Sequence, residues 1–170
     1  MSVSALLLLI SLGAAAQPDA IVKTRVGKLS VNLPVAPAWK SESPAEAEGE
    51  SRSVSTPDGE AQIDLSVFPV DPHRAAKLCA EQLVKALGGD GYESVTVGKN
   101  PAYRKVTVDY LGEDDGAKSD EANKVNTVSY VGCNGKTKWV MSMTSKASKL
   151  ARFGALLKRV VSSIQYVEKP

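Results

Sequence analysis

Two cysteines, a single histidine and a run of carboxylates are the residues of this 170-residue chain whose types could do chemistry. Cys79 and Cys133 could form a disulfide, bind a soft metal or act as a redox pair. His73 follows Asp71 by two positions and could act as a general base with an orienting carboxylate. Glu113, Asp114, Asp115, Asp120 and Glu121 could offer oxygen ligands to Ca²⁺. Lys149, Arg152 and Arg159 could dock an acidic partner or a membrane surface.

The elements that carry these residues narrow the choice. In DPHRAAKLCAEQLVKALGG, Asp71 suits an N-cap, Pro72 the first helical position and Gly88 the C′ position. Ala76, Cys79, Leu83 and Leu87 then fall on one face, so Cys79 points inward, and His73 sits in an exposed first turn. Cys133 ends the strand KVNTVSYVGC, before the hairpin signal Asn134-Gly135. A two-residue turn sets Tyr130 opposite Trp139 and Val128 opposite Met141, leaving Val131, Cys133 and Val140 on the other face. A three-residue turn with a glycine bulge shifts that pairing by one, and the sequence leaves both open.

A zinc or iron–sulfur site needs about four soft ligands, and a thioredoxin-like pair needs C-x-x-C. Neither pattern is present, so a Cys79–Cys133 bridge is the preferred reading. Closing a loop of about 55 residues is worth about 4 kcal/mol on the chain-entropy estimate. No nucleophile-elbow, Walker or H-E-x-x-H motif occurs. Gly88-Gly89-Asp90-Gly91 follows a helix instead of preceding one, which reads as helix termination. The acidic loop lacks the D-x-D-x-D-G register of an EF-hand. No cofactor, metal or catalytic residue is assigned, although an envelope hydrolase built on His73 and a Ca²⁺-dependent structural module stay as alternatives.

Residues 1–16, MSVSALLLLISLGAAA, have an apolar run and an Ala14-x-Ala16 end, and read as a signal peptide cleaved near Ala16. Export to a periplasm or to the outside would favour disulfide formation. Residues 17–26 read as a loosely ordered tail, and residues 27–170 as one α+β domain. The formal net charge of +2 is too small to imply nucleic acid. No later apolar run is long enough to cross a membrane.

Leu29, Val31 and Leu33 alternate with polar residues as a half-buried strand should. Trp39 sits in a Pro- and Glu-rich loop that tucks it against the core. The Pro57-Asp58-Gly59 turn leads into a strand burying Ile63, Leu65 and Val67. Val106, Val108 and Tyr110 form the apolar side of a later strand. Leu150, Phe153, Leu157, Val160 and Ile164 mark the clearest amphipathic helix, with Lys149, Arg152 and Arg159 on its outward side. Strands joined by tight turns imply an antiparallel sheet with helices packed on it.

The stretches LSVNLPVAPAW, AQIDLSVFPV, ESVTVGKNPAYRKVTV, VSYVGCNGKTKWVMSMT and FGALLKRVVSSIQY resemble PsbP-like and DcrB-like domains over nearly all of the mature chain. The resemblance carries no catalytic motif. It implies an α/β/α sandwich and a role as an exported accessory or assembly factor, and the cysteine pair lies outside its pattern. The leading expectation is therefore an exported, non-catalytic domain that engages a partner protein or small ligand, with partner and oligomeric state left open.

Overall fold

The computed structural model describes residues 19–45, 48–111 and 121–167; the expected signal peptide lies outside them. The elements run β1 (Ile21–Val26), β2 (Leu29–Pro34), β3 (Lys40–Glu42), β4 (Glu50–Ser55), β5 (Ala61–Pro69), α1 (Ala76–Ala86), β6 (Glu93–Val97), β7 (Asn100–Tyr110), β8 (Lys124–Cys133), β9 (Thr137–Lys146), α2 (Leu150–Ser162) and β10 (Gln165–Tyr166). A seven-stranded sheet has the order β3-β4-β5-β9-β8-β7-β6, and a three-stranded sheet the order β1-β2-β10. The strand pairings in both are antiparallel, as consecutive strands on short turns require. The fold is α+β.

The large sheet is covered on both faces. On one face the small sheet and α2 enclose the main core, where Leu29, Val31, Ile63, Leu65, Met141, Met143, Phe153 and Val160 are fully buried. The expected α2 stripe is there, and Leu156 and Val161 widen it. Each such side chain contributes about 1.5–3 kcal/mol on burial. On the other face α1 seals a small second cluster of Val70, Cys79, Ala80 and Cys133, with Tyr103 beside it. Trp39 is buried, its ring edge-on to Phe153 with centroids 5.9 Å apart.

The structure corrects several expectations. The expected loose tail over residues 17–26 is a strand in its described part, because Ile21–Val26 pair with β2 from Ile21↔Pro34 to Val26↔Leu29. The turn between them is Gly27-Lys28, with Gly27 at φ +54°, a glycine-first hairpin turn. Helix α1 starts at Ala76 with Ala75 as its non-bonding N-cap, so Asp71, Pro72 and His73 precede it. Residues 70–75 are drawn off by the hairpin tip instead: Val70 N donates to Lys136 O at 3.0 Å and Arg74 N to Gly135 O at 3.2 Å. The helix end is as expected. Gly88 N donates to Lys85 O and Gly89 N to Val84 O, a Schellman pair with Gly88 at φ +97°. Leu83 is only half-buried and Leu87 is 43% exposed, because the short helix overhangs its cluster.

The β8–β9 register fits neither expected turn. Cys133 pairs with Lys138 and Tyr130 with Met141, and Asn134 N donates to Thr137 O at 3.1 Å, so the turn falls on Gly135-Lys136, one residue later than Asn134-Gly135. The Asn134 carboxamide stabilises it by accepting from Lys136 N and Thr137 N at 3.0 and 2.8 Å, the Asx-turn chemistry of asparagine. A shift of two residues keeps every side chain on its expected face. Val131 and Cys133 therefore still face α1.

Val106 and Val108 are another correction. They are 41% and 53% exposed, since β7 outruns the elements that cover the sheet.

Candidate functional site

Cys79 and Cys133 are joined, Cα to Cα 6.0 Å apart, closing a sequence separation of 54. The pair is structural: Cys79 is 4% exposed and Cys133 fully buried. Gly135 N donates to Cys133 Sγ at 3.1 Å, so the bridge, residues 70–75 and the β8–β9 tip are one knot.

That knot forms one wall of a groove. Three adjoining cavities of about 510, 450 and 360 Å³ surround Val167, where the chain leaves β10. The first lies between the Gly27-Lys28 turn, Glu48–Glu50 and the end of β5 at Phe68-Pro69. The second runs along Lys23, Arg25 and Tyr166. The third is bounded by Lys28, His73, Asn134, Lys136, Thr137 and Tyr166. Lys23, Arg25, Lys28 and Lys136 thus ring the groove against the carboxylates Glu48 and Glu50. Glu50 is further occupied, accepting from Gly27 N at 3.0 Å. The balance is cationic, which favours anionic ligands.

Local sequence explains why these cations meet. The β1–β2 and β8–β9 hairpins turn at the same end of the molecule, each with a lysine in its turn. Val167 N donates to Lys28 O at 2.8 Å, which holds the first turn against the end of the chain. Tyr166 is fixed from below, its hydroxyl accepting from Trp139 Nε1 at 2.8 Å. Burial pushes the Tyr166 phenol up to about 12 against the weaker opposing effect of that bond. It stays protonated at neutral pH and keeps a hydrogen to donate.

Among the described residues, the sequence-derived candidates fall elsewhere, with one exception. His73 is exposed and lines the third cavity, but no hydrogen bond among the described residues orients its ring. Lys149 pairs with Glu60 at 3.5 Å. Arg152 pairs with Asp19 at 3.2 Å and lies 4.8 Å from the Phe153 ring centroid. Arg159 is exposed, with no ion pair among the described residues. Glu113, Asp114, Asp115 and Asp120 lie outside the described residues. Glu121 pairs with Lys124 at 2.8 Å, a bond that holds the Lys124 ammonium above its usual range. Among the described residues no group of three or more His, Cys, Asp or Glu is placed to hold a metal.

Sequence reading missed Lys23, Arg25, Lys28, Lys136 and Tyr166. The available signal was the lysine in each turn, Gly27-Lys28 and Asn134-Gly135-Lys136, once both hairpins are set at one end of the molecule.

No protein-family model and no curated protein sequence matches the chain. Among the solved structures similar to it are two with the following likeness. A Bacteroides thetaiotaomicron protein superposes with a TM-score of 0.58 at 16% identity, over 84% of this chain and 46% of that one. This chain therefore spans about half of that protein's length. The solution structure of CyanoP, the cyanobacterial PsbP of Synechocystis, superposes with a TM-score of 0.56 at 10% identity, over 91% of this chain and 95% of that one. At such identities the likeness speaks for architecture and not activity, and the architecture is PsbP-like.

Proposed function

We propose that this protein is an exported, non-catalytic accessory domain that binds an acidic segment of a partner protein in the groove around Val167. The observation that carries the reading is the ring of Lys23, Arg25, Lys28 and Lys136 about adjoining open cavities, with Tyr166 held between them by the bond its hydroxyl accepts from Trp139. An elongated groove with cations spaced along it suits a run of carboxylates better than one small anion. Electrostatic complementarity of this kind raises association rates and weakens with salt. Export is supported by the apolar leader with its Ala14-x-Ala16 end and by the Cys79–Cys133 bridge, which belongs in an oxidising compartment. No helix among the described residues is long and apolar enough to cross a membrane.

An octaglutamate peptide titrated into ¹⁵N-labelled protein at low salt tests the site. The amides of Lys28, Lys136, Thr137 and Val167 are expected to shift. Lys28→Glu/Lys136→Glu abolishes the response and Arg159→Glu leaves it intact. Shifts confined to α2, or none, overturn the reading. An equal response to inorganic phosphate alone would replace the peptide by a small anion. Cell fractionation with intact-mass measurement tests export, and an uncleaved chain in the cytosol overturns that part.

A further inference from the structure

The long strand β7 is only partly covered along its outer edge. It runs from Asn100 to Tyr110, while β6 pairs with Asn100 to Arg104 alone. Gly91, at φ +76°, turns the incoming chain onto the face carrying the Lys105 stem, where its missing Cβ would lie 3.5 Å from Lys105 Cε. From Lys105 onward β7 has a strand neighbour, β8, on one side only.

The free backbone groups can be assigned. Leu111 N donates to Asn123 O at 2.9 Å, continuing the register in which Tyr110 faces Lys124. Odd-numbered residues of β7 therefore bond to β8, and Val106, Val108 and Tyr110 turn their N–H and C=O groups outward. Tyr110 N is satisfied by the Asp109 carboxylate at 2.8 Å. The N–H and C=O groups of Val106 and Val108 have no partner among the described residues. Their side chains are 41% and 53% exposed, and Val106 lines a groove of about 310 Å³ along α2. An exposed edge of this kind is a template for another strand.

The sequence of that edge names its occupant. Lys105-Val106-Thr107-Val108-Asp109 is self-complementary in the antiparallel sense about Thr107. Paired with itself, it sets Lys105 opposite Asp109 twice, Val106 opposite Val108 twice, and Thr107 opposite Thr107. The charges that would repel a passing strand become cross-strand partners, and the outward groups of Val106 and Val108 meet as closely spaced hydrogen-bonded pairs. Displacing the register by two residues keeps the backbone bonds but separates Lys105 from Asp109. We propose that β7 is a homodimer interface: a second copy of this chain adds its own Lys105–Asp109 segment here, joining two seven-stranded sheets across a two-fold axis at Thr107. Such an interface is isologous and closed, the commonest form of oligomer.

The test is a sedimentation-velocity series over protein concentration. The expected result is a concentration-dependent dimer that Lys105→Asp weakens at least tenfold and Lys105→Asp/Asp109→Lys restores, because the double exchange rebuilds both ion pairs. Thr107→Cys, at a non-hydrogen-bonded pair on the axis, is expected to give a disulfide-linked dimer on a non-reducing gel. Ser94→Cys, exposed on β6, is the control that does not. A monomer at every concentration overturns the proposal. So does a dimer indifferent to Lys105→Asp whose Thr107→Cys form cross-links no better than Ser94→Cys.

Discussion

Trp139 donates its indole hydrogen to Tyr166 Oη across 2.8 Å, and that bond ties the centre of the large sheet to the floor of the cationic groove. Trp139 is 1% exposed and lies over Gly132, its cross-strand partner, where a Cβ would overlap the indole. The glycine lets the ring lie flat on β8, and the ring positions Tyr166 in the two-residue strand β10. Gly132, Trp139 and Tyr166 thus form one line of support from sheet to groove.

Tyr166→Phe removes the acceptor and leaves the indole N–H buried without a partner, a loss of about 1–3 kcal/mol. The measurement is the urea midpoint, which should fall at unchanged slope. The pH dependence has a definite sign. The folded phenol is raised from 10.0 to about 12, so its contribution is fully present below the unfolded pKa and disappears as pH rises from 10 to 12. Allowing for partial exposure, that loss is about 2 kcal/mol. The stability gap between the wild type and Tyr166→Phe should therefore narrow across that window and stay level from pH 7 to 9.

The Cys79–Cys133 bridge closes a separation of 54 residues, for which the loop-entropy estimate gives about 4 kcal/mol. Domains of this size hold about 5–15 kcal/mol in all. Cys79→Ser/Cys133→Ser should accordingly lower the melting temperature sharply, and reductant should do the same to the wild type. Thiol titration of the untreated protein should find no free sulfhydryl.

The bridge and the buried stripe of α2 were legible because each follows from local pattern: an even cysteine count with an inward helix face, and apolar residues three and four apart. The start of α1 was not legible from Asp71 and Pro72. Its position is decided by the carbonyls of Gly135 and Lys136, which take the amides of Arg74 and Val70 from some 60 residues along the chain. The exposure of Val106 and Val108 was hidden for a related reason. Alternation identifies an apolar side of a strand and says nothing of whether another layer reaches it. The groove escaped because its cations come from separate hairpins that meet only in the folded molecule.

Asp19 ties the segment before β1 to Trp39 and to α2. Its carboxylate is 8% exposed and accepts from Trp39 Nε1 at 3.1 Å and from Arg152 Nη2 at 3.2 Å. Asp19→Ala would strand the buried Trp39 donor and should cost about 1–3 kcal/mol. Lys149→Ala, which breaks the more exposed pair with Glu60, should cost no more than about 1 kcal/mol. Thermal unfolding of the two variants side by side checks the order, and an equal loss would show that Asp19 acts only as a surface ion.

Gly135 and Gly59 separate strain from collision. Both have positive φ, +91° and +70°, so alanine is disfavoured by backbone conformation at each, by about 1 kcal/mol. A Cβ at Gly59 would meet nothing within 4 Å, whereas one at Gly135 would run into the Arg74 carbonyl. Arg74 cannot simply withdraw, because its amide is bonded to Gly135 O and the helix behind it is held by Cys79. Gly135→Ala should therefore cost about 2 kcal/mol more than Gly59→Ala. Because His73 and Lys136, on either side of this contact, line the groove, Gly135→Ala should also weaken octaglutamate binding, an effect Gly59→Ala should lack. Equilibrium unfolding together with the peptide titration checks both halves, and equal losses at the two glycines would mean that the hairpin tip yields freely.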